Sequence, residues 1–381
     1  MVIESHSTHQ RESKRHKKTL KTTNPVSDSS NPLPQELIIE ILSRLPVKFV
    51  LQFRCVCKSW CSLISHPQFV KTHLNITSIR PQIDLNSCSI DSILCKQFDT
   101  VAGLDNYPSK IHHSLYRVVG SCNGLVCVAI KDDAVFLWNP STRKSNRLPK
   151  IKLLSCYFVS FGFGYDESID DYKLVGMFCL GSIVSYTTEV NVYSIRTNSW
   201  RRIGEFPYVI TFDDSAKFAN GALYWAVKGG DDLSNSWIIV SLDLAKETYK
   251  EVMKPDYEDG CSYSALGVVG GCLCVLCNYH GTRAEVWVMK GFGMREFWTK
   301  LVAIPLLTDP WNYQCSIPLC ILRNCEILLE FGSYSLVYNP KDGTYSNPKN
   351  HNNCARIDAH TYIESLVSPT ADIVIPEQHQ Y

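Results

Sequence analysis

The feature that most constrains this 381-residue chain is a two-part unit that recurs five times after residue 120. Each copy is a short apolar run opened by small or turn-forming residues, then a second run that ends in a polar turn and often an aromatic. The copies are NGLVCVAI with VFLWNPSTRKSNRLP, YKLVGMFC with EVNVYSIRTNSWRRI, NGALYWAV with IIVSLDLAKETYKEV, GGCLCVLC with AEVWVMKGFGMREFW, and CEILLEFG with SLVYNPKDGTYSNP. Runs rich in Val, Ile, Leu, Tyr and Trp, broken by Gly, Asn, Asp and Pro, predict strands and turns. Anchored on Asn139, Ser194, Asp243, Met289 and Asn339, the copies are spaced by 55, 49, 46 and 50 residues. That length holds four strands of about six residues with their turns. So small a sheet buries its faces only against neighbours of the same kind.

A period near 50 residues is that of a propeller blade. The segment from about Arg80 to Arg117, including PQIDLNSCSIDSILCKQF, and the strand candidate TYIESLV at 361–367 are left over. Together they predict one closing blade shared by the two ends of the domain. The expectation is an all-β ring of about six blades, closed so that no long strand edge stays open.

Residues 31–74, NPLPQELIIEILSRLPVKFVLQFRCVCKSWCSLISHPQFVKTHL, read differently. Pro34 suits a first helical turn, and Leu37, Ile38, Ile41, Leu42 and Leu45 recur at three- and four-residue spacing among polar neighbours. Pro46 stops that helix. Val47 to Phe53 predicts a second, Val56, Trp60, Leu63 and Ile64 a third, and Pro67 opens a further turn ending near Leu74. A module of about 40 residues buries too little surface to use all of these apolar residues internally, so part of the set is expected to meet a partner.

The runs LPQELIIEILSRLPVK and RCVCKSWCSLISHPQF resemble the F-box, with Phe49 where that pattern has Ser and Gln52 where it often has a basic residue. The ordered set SCNGLVC, LWNPSTRKSNRLP, FGFGYDESIDDYKLV, VYSIRTNSWR, FANGALYWAV, IIVSLDL and VWVMKGFG is similar to the F-box-associated, kelch-like domain of plant F-box proteins. Diagnostic kelch doublets occur only at Gly229-Gly230 and Gly270-Gly271. The resemblance implies a small all-α F-box module at 31–74, followed at 75–370 by an all-β kelch-like propeller. It implies the substrate receptor of an SCF-type ubiquitin ligase. The F-box would bind a Skp-type adaptor through Leu33, Pro34, Leu37, Ile41, Leu42, Leu45, Pro46, Val47, Val56, Trp60 and Leu63, partly packing these residues into its own core. Cullin and RING subunits would follow through the adaptor, and the propeller would hold an unknown target protein for ubiquitination and proteasomal degradation. An alternative is a non-degradative scaffold or lectin-like binder. A propeller enzyme like the copper-radical oxidases would require a Tyr, His and Cys metal set.

Composition sets outer bounds. A 45% hydrophobic content supports a large core, while a net charge of +1 gives no whole-molecule field for nucleic acid or a membrane surface. No apolar run approaches the roughly 20 residues of a spanning helix, and the first 30 residues lack a secretory apolar segment. The 17 cysteines are scattered through strand-like runs, which predicts reduced, buried thiols, a cytoplasmic or nuclear location and a silent Asn75 sequon. Residues 1–30 carry six Lys or Arg against one Glu between Arg11 and Lys21, and predict a disordered basic tail in which Lys14 to Lys18 could direct nuclear import. Residues 371–381 read as a C-terminal tail.

No residue set points to catalysis, a metal or a cofactor. Cys272, Cys274, Cys277 and His280 lie close in sequence, but strand alternation sends Cys277 to the face opposite Cys272 and Cys274. Cys55, Cys57 and Cys61 read as small apolar fillers. Gly162-Phe163-Gly164 leads into an Asp-rich turn rather than a helix, against a dinucleotide fingerprint. The pairs Asp170/Asp171, Asp213/Asp214 and Asp231/Asp232 read as turns. Trp138, Trp200, Trp225, Trp237, Trp287, Trp298 and Trp311 are expected mostly between blades, with one or two on a ligand-facing rim. The variable stretches near Asp99–Ile111, Tyr208–Lys217 and Asp256–Tyr263 carry no peptide-binding signature, which leaves target-binding residues unassigned.

Overall fold

The computed structural model describes residues 33–77, 81–83, 88–89, 116–130, 134–151, 156–181, 186–210, 215–228, 237–257, 260–261, 263–279, 282–290, 297–305, 315–321, 325–331, 334–346 and 360–370. The basic tail with Lys14 to Lys18, the 371–381 tail, Gly229-Gly230, the Asp213 and Asp231 pairs, His280, Trp311 and the 99–111 stretch lie outside the described residues.

Four helices come first: α1 (Gln35–Ser43), α2 (Val47–Phe53), α3 (Lys58–Ser65) and α4 (Pro67–Thr77). Prolines set three of the starts. Pro34 caps α1 and Pro46 caps α2 with extended backbone, each carbonyl accepting the first helical N–H bonds, and Pro67 opens α4.

Five sheets follow. The first blade is β3 (Tyr116–Cys122), β4 (Leu125–Ile130), β5 (Ala134–Asn139) and β6 (Lys144–Arg147), after the short strands β1 (Pro81–Ile83) and β2 (Cys88–Ser89). The second is β7 (Cys156–Asp166), β8 (Asp171–Gly181), β9 (Tyr186–Ser194) and β10 (Ser199–Glu205). The third has an extra short strand: β11 (Val209–Ile210), β12 (Lys217–Ala219), β13 (Ala222–Lys228), β14 (Trp237–Asp243) and β15 (Tyr249–Val252). The fourth is β16 (Tyr263–Val269), β17 (Cys272–Tyr279), β18 (Arg283–Lys290) and β19 (Phe297–Pro305). The fifth is β20 (Cys315–Ile321), β21 (Ile327–Phe331), β22 (Tyr334–Asn339) and β23 (Thr344–Ser346), and β24 (Thr361–Ile363) comes last. Each blade is an antiparallel meander, and the first strands β3, β7, β12, β16 and β20 meet in succession around the inside of the ring.

β24 pairs with β1, which pairs with β2, so the strand after the helices and the last strand share one three-stranded sheet. Tyr362 of that sheet packs with Val118, Val126, Val128 and Trp138, giving blade one a neighbour on its outer side. Among the described residues the architecture is therefore five blades and a small closing sheet, in keeping with the expected ring of about six.

Alternation along the middle strands builds the cores between blades. In β4, Leu125 and Cys127 turn toward Phe161, Phe163, Leu174 and Phe178 of blade two, while Val126 and Val128 turn toward Tyr362. In β17, Cys274 packs toward blade five and Cys277 toward blade three, on opposite faces as alternation requires. Each fully buried Val, Leu or Phe contributes about 1.5–3 kcal/mol. Gly162 and Gly164 serve this packing: a Cβ on Gly164 would lie 2.3 Å from Phe218 Cδ2, and one on Gly162 2.7 Å from the Ala216 Cβ. The Gly-Phe-Gly segment thus lets blade three approach the innermost strand of blade two.

The third strands end at Asn139, Ser194, Asp243, Lys290 and Asn339, one residue past Met289 in blade four. Four of these side chains cap the following turn. Asn139 Oδ1 accepts the N–H of Ser141 at 2.9 Å, Ser194 Oγ that of Thr197 at 3.0 Å, Asp243 Oδ1 that of Ala245 at 2.9 Å, and Asn339 Oδ1 that of Lys341 at 3.0 Å. Beyond the turn, an aromatic on the fourth strand reaches the preceding blade: Trp200 Nε1 donates to the Pro149 carbonyl at 2.7 Å, Trp298 Nε1 to Met253 O at 2.7 Å, and Tyr345 OH to Pro305 O. The aromatic of the repeat is thus a rivet between blades.

Candidate functional site

The helical module has a complete small core. Leu42, Val50, Ile64 and Phe69 are at most 3% exposed, and Ile38, Ile39, Leu45, Phe53, Trp60 and Leu63 close around them, with the Phe53 and Trp60 rings edge to face at 5.6 Å. His73, also buried, bonds through Nε2 to the Leu45 carbonyl at 2.8 Å; burial pulls its pKa down, against the opposing effect of that bond.

Apolar residues are left over once this core is filled. Six of the ten exposed large hydrophobic residues among the described ones lie in the helical module: Leu33, Leu37, Ile41, Phe49, Val56 and Ile76. Leu37 (49% exposed) and Ile41 (53%) stand one turn apart on α1, and Leu33 (61%) lies just before the Pro34 cap. Of the residues expected at a partner surface, Leu33, Pro34, Leu37, Ile41 and Val56 are exposed, whereas Leu45, Pro46, Trp60 and Leu63 are half-buried. Leu42 and Val47, each 1% exposed, belong to the core instead of the surface, because a helix that small must turn its best-surrounded positions inward. Phe49, 48% exposed, was outside the expected set; its signal was that it replaces a polar residue of the F-box pattern with an apolar one.

Helix α4 faces both ways. Phe69 enters the helical core, while Val70 and Leu74 pack against the cluster shared by blades one and two. Lys71 Nζ lies 3.3 Å from Asp170 in the β7–β8 turn, an exposed pair of small energetic weight. Asp170 is held below the usual carboxylate range, first by the Tyr165 hydroxyl bond and then, against burial, by Lys71. A cleft of about 1020 Å³ runs alongside, lined by Lys71, Asn75, Tyr165, Tyr172, Arg196 and Ser368 among others. The helices therefore sit on the end of the ring formed by first-to-second and third-to-fourth strand turns.

The opposite end carries the second-to-third loops and the connections between blades. There Arg283 lies over the Tyr279 ring at 4.3 Å and Lys254 over Trp237 at 5.2 Å, and Met253 is 78% exposed. Glu285, 2% exposed, accepts from Lys300 at 2.9 Å and from Arg283 and Tyr279 at 3.2 Å; burial would raise its pKa, but these bonds outweigh it and hold the carboxyl low. Trp138 and Trp225 are buried between blades, while Trp237, Trp287 and Trp298 are half-buried along the seam of blades three and four. Among the buried thiols, burial pushes Cys274 up to about 12, which leaves it inert at neutral pH.

A family model described as the F-box domain matches residues 32–72, and one described as the F-box associated beta propeller domain matches residues 69–368. The chain belongs to this family of F-box proteins. The two matches overlap within α4, the helix that packs in both directions. F-box/kelch-repeat protein At3g23880 of Arabidopsis thaliana is 36% identical over 364 residues, covering 90% of this chain and 97% of that protein. F-box protein CPR1 of the same plant is 29% identical over 342 residues, covering 80% of this chain and 81% of its own length. The helical module is thus an F-box, and its exposed apolar stripe lies on the part of the protein that characterises the family.

Proposed function

We propose that this F-box protein is the target-recognition subunit of an SCF-type ubiquitin ligase. The observation that carries the reading is the division of the F-box residues: a finished core around Leu42 and Val50, and a leftover apolar stripe of Leu37 and Ile41 on α1, with exposed Leu33 just before the helix. In this reading the stripe, with Phe49 and Val56, docks on a Skp-type adaptor, and the half-buried Trp60 and Leu63 support it from beneath. Apolar anchors in a desolvated centre give such an interface its affinity. The adaptor leads to cullin and a RING subunit.

The F-box covers one end of the ring, so the target is assigned to the opposite end, where the half-buried Trp237 lies under Lys254, Arg283 covers the buried Tyr279 ring, and Met253 stands exposed. The chain supplies no bond-making group. Its work is proximity, raising the effective concentration of target lysines near the ubiquitin-charged enzyme. This activity belongs in the cytoplasm or nucleus, and its outcome is degradation of the target.

The test is affinity capture of the full chain from plant cells under proteasome inhibition, beside a Leu37→Asp/Ile41→Asp variant. Recovery of adaptor and cullin by the intact chain alone, with ubiquitylated partners accumulating, is the expected result. Adaptor recovered without any ubiquitylated partner favours the non-degradative scaffold, and no adaptor on the folded intact chain rejects the ligase reading.

A further inference from the structure

We infer that residues 360–370 form a strap that fixes the orientation of the F-box against the propeller, and that Asn139 is its positioning residue. The segment leaves β24 and crosses the first turn of blade one. Ser121 Oγ donates to Thr361 O at 2.6 Å. Asn139 Nδ2 then donates to Ser365 O at 3.1 Å and to Val367 O at 2.7 Å, and Asn146 Nδ2 to Pro369 O at 3.2 Å. Both Asn139 and Ser365 are 0% exposed. The crossing is close: a Cβ on Gly124, whose φ is +82°, would stand 2.7 Å from the Ile363 carbonyl.

Two consecutive side chains of the strap then part company. Leu366 packs on the F-box cluster of Leu42, Val50, Ile64 and Phe69, and Val367 enters the cluster of blades one and two. The same eleven residues therefore touch the closing sheet, blade one and the F-box. Apart from the strap, the F-box meets the propeller among the described residues through α4, including Val70, Leu74 and an ion pair exposed on both sides. One helix is an axle about which a small module rocks. A second attachment away from that axle removes the rotation. If the proposed ligase role holds, the strap also sets the distance between adaptor and target, but the mechanical inference stands on the contacts alone.

Asn139 separates its two jobs by atom. Oδ1 caps the β5–β6 turn, and Nδ2 holds the strap. Asn139→Asp keeps the cap, since Asp243 caps the equivalent turn of blade three, but sets an oxygen against two carbonyls where a donor stood. The experiment is hydrogen exchange with mass spectrometry and small-angle X-ray scattering on the full chain. Asn139→Asp is expected to speed exchange of 360–370 and the F-box helices by roughly tenfold or more, to leave blades three to five unchanged, and to broaden the scattering distance distribution. A lower melting temperature with unchanged scattering and unchanged exchange in 360–370 would overturn the inference, because a purely local turn defect does that. Should Asn139→Asp loosen every blade, Leu366→Ala decides. Faster exchange confined to the F-box and strap supports the inference, and wild-type protection there rejects it.

Discussion

At the scale of single residues, most of the chemistry in this chain is spent on holding backbone in place. Asn139, Ser194, Asp243 and Asn339 share no single side-chain type, yet each places an oxygen two atoms from the backbone or nearer, within reach of the N–H groups of the following turn. That is why they were usable as anchors of the repeat, and why Met289 misplaced the fourth by one residue: no capping oxygen marks that turn in sequence. His73 is a second such residue. Its lowered pKa keeps the ring neutral in the folded state, whereas the unfolded chain takes up a proton near pH 6.5. Stability is therefore full above that pH and declines as pH falls below it, toward the lower folded value. Thermal melts of the full chain are expected to show F-box destabilisation as pH falls below about 6.5, and His73→Gln to flatten that dependence. Glu285 and Asp166 act lower: burial opposes, but bonds from Lys300 and Arg283, and from Lys173 and Ser168, hold both carboxyls down, so their contribution is lost only as pH falls through and below about 4.

At the scale of elements, the sequence exposed the middle of each blade and hid its borders. The ten apolar runs of the repeat are the second and third strands, β4 and β5 through β21 and β22. They are paired on both sides and packed on both faces, which leaves near-continuous apolar runs. The fourth strands are outermost and half exposed, as in β6 and β10, and their pattern is too polar to read except for the riveting aromatic. The closing sheet was anticipated because two strand-like segments lacked partners, but its three short strands do not make a full blade. Three of the four helices were legible from proline positions, and α3 from the spacing of Val56, Trp60, Leu63 and Ile64. Which apolar residue of α1 faces out was not, since Leu37, Ile41 and Leu42 all fit one broad apolar face and only the packing of α4 and the strap decides among them. Gly164 gives a test at this scale: Gly164→Ala sets a methyl 2.3 Å from the Phe218 ring and is expected to cost about 1–3 kcal/mol in chemical denaturation, while Gly120→Ala, with open space around it, is expected to cost far less.

At the scale of the whole molecule, antiparallel meanders give the ring two unlike ends, and α4 and the strap commit the F-box to one of them. Nothing in the repeat pattern announces this choice, because it depends on contacts between segments some 300 residues apart, such as Leu366 with the F-box core. The consequence is a separation of tasks. Trp237→Ala with Arg283→Ala, at the far end, is expected to leave adaptor binding within about twofold and to reduce capture of propeller partners at least tenfold in pull-down with quantitative mass spectrometry. The F-box divides its apolar residues between a finished core and an exposed stripe proposed to dock the adaptor. The most direct measurement is titration calorimetry of the purified full chain with a purified Skp-type adaptor, with circular dichroism on each variant. Leu37→Asp/Ile41→Asp is predicted to retain wild-type helicity and lose roughly a hundredfold or more in affinity, about 3 kcal/mol. Leu42→Ala is predicted to lose about 2–5 kcal/mol of module stability. Wild-type affinity in the folded Leu37→Asp/Ile41→Asp variant would show that the exposed stripe has no part in docking.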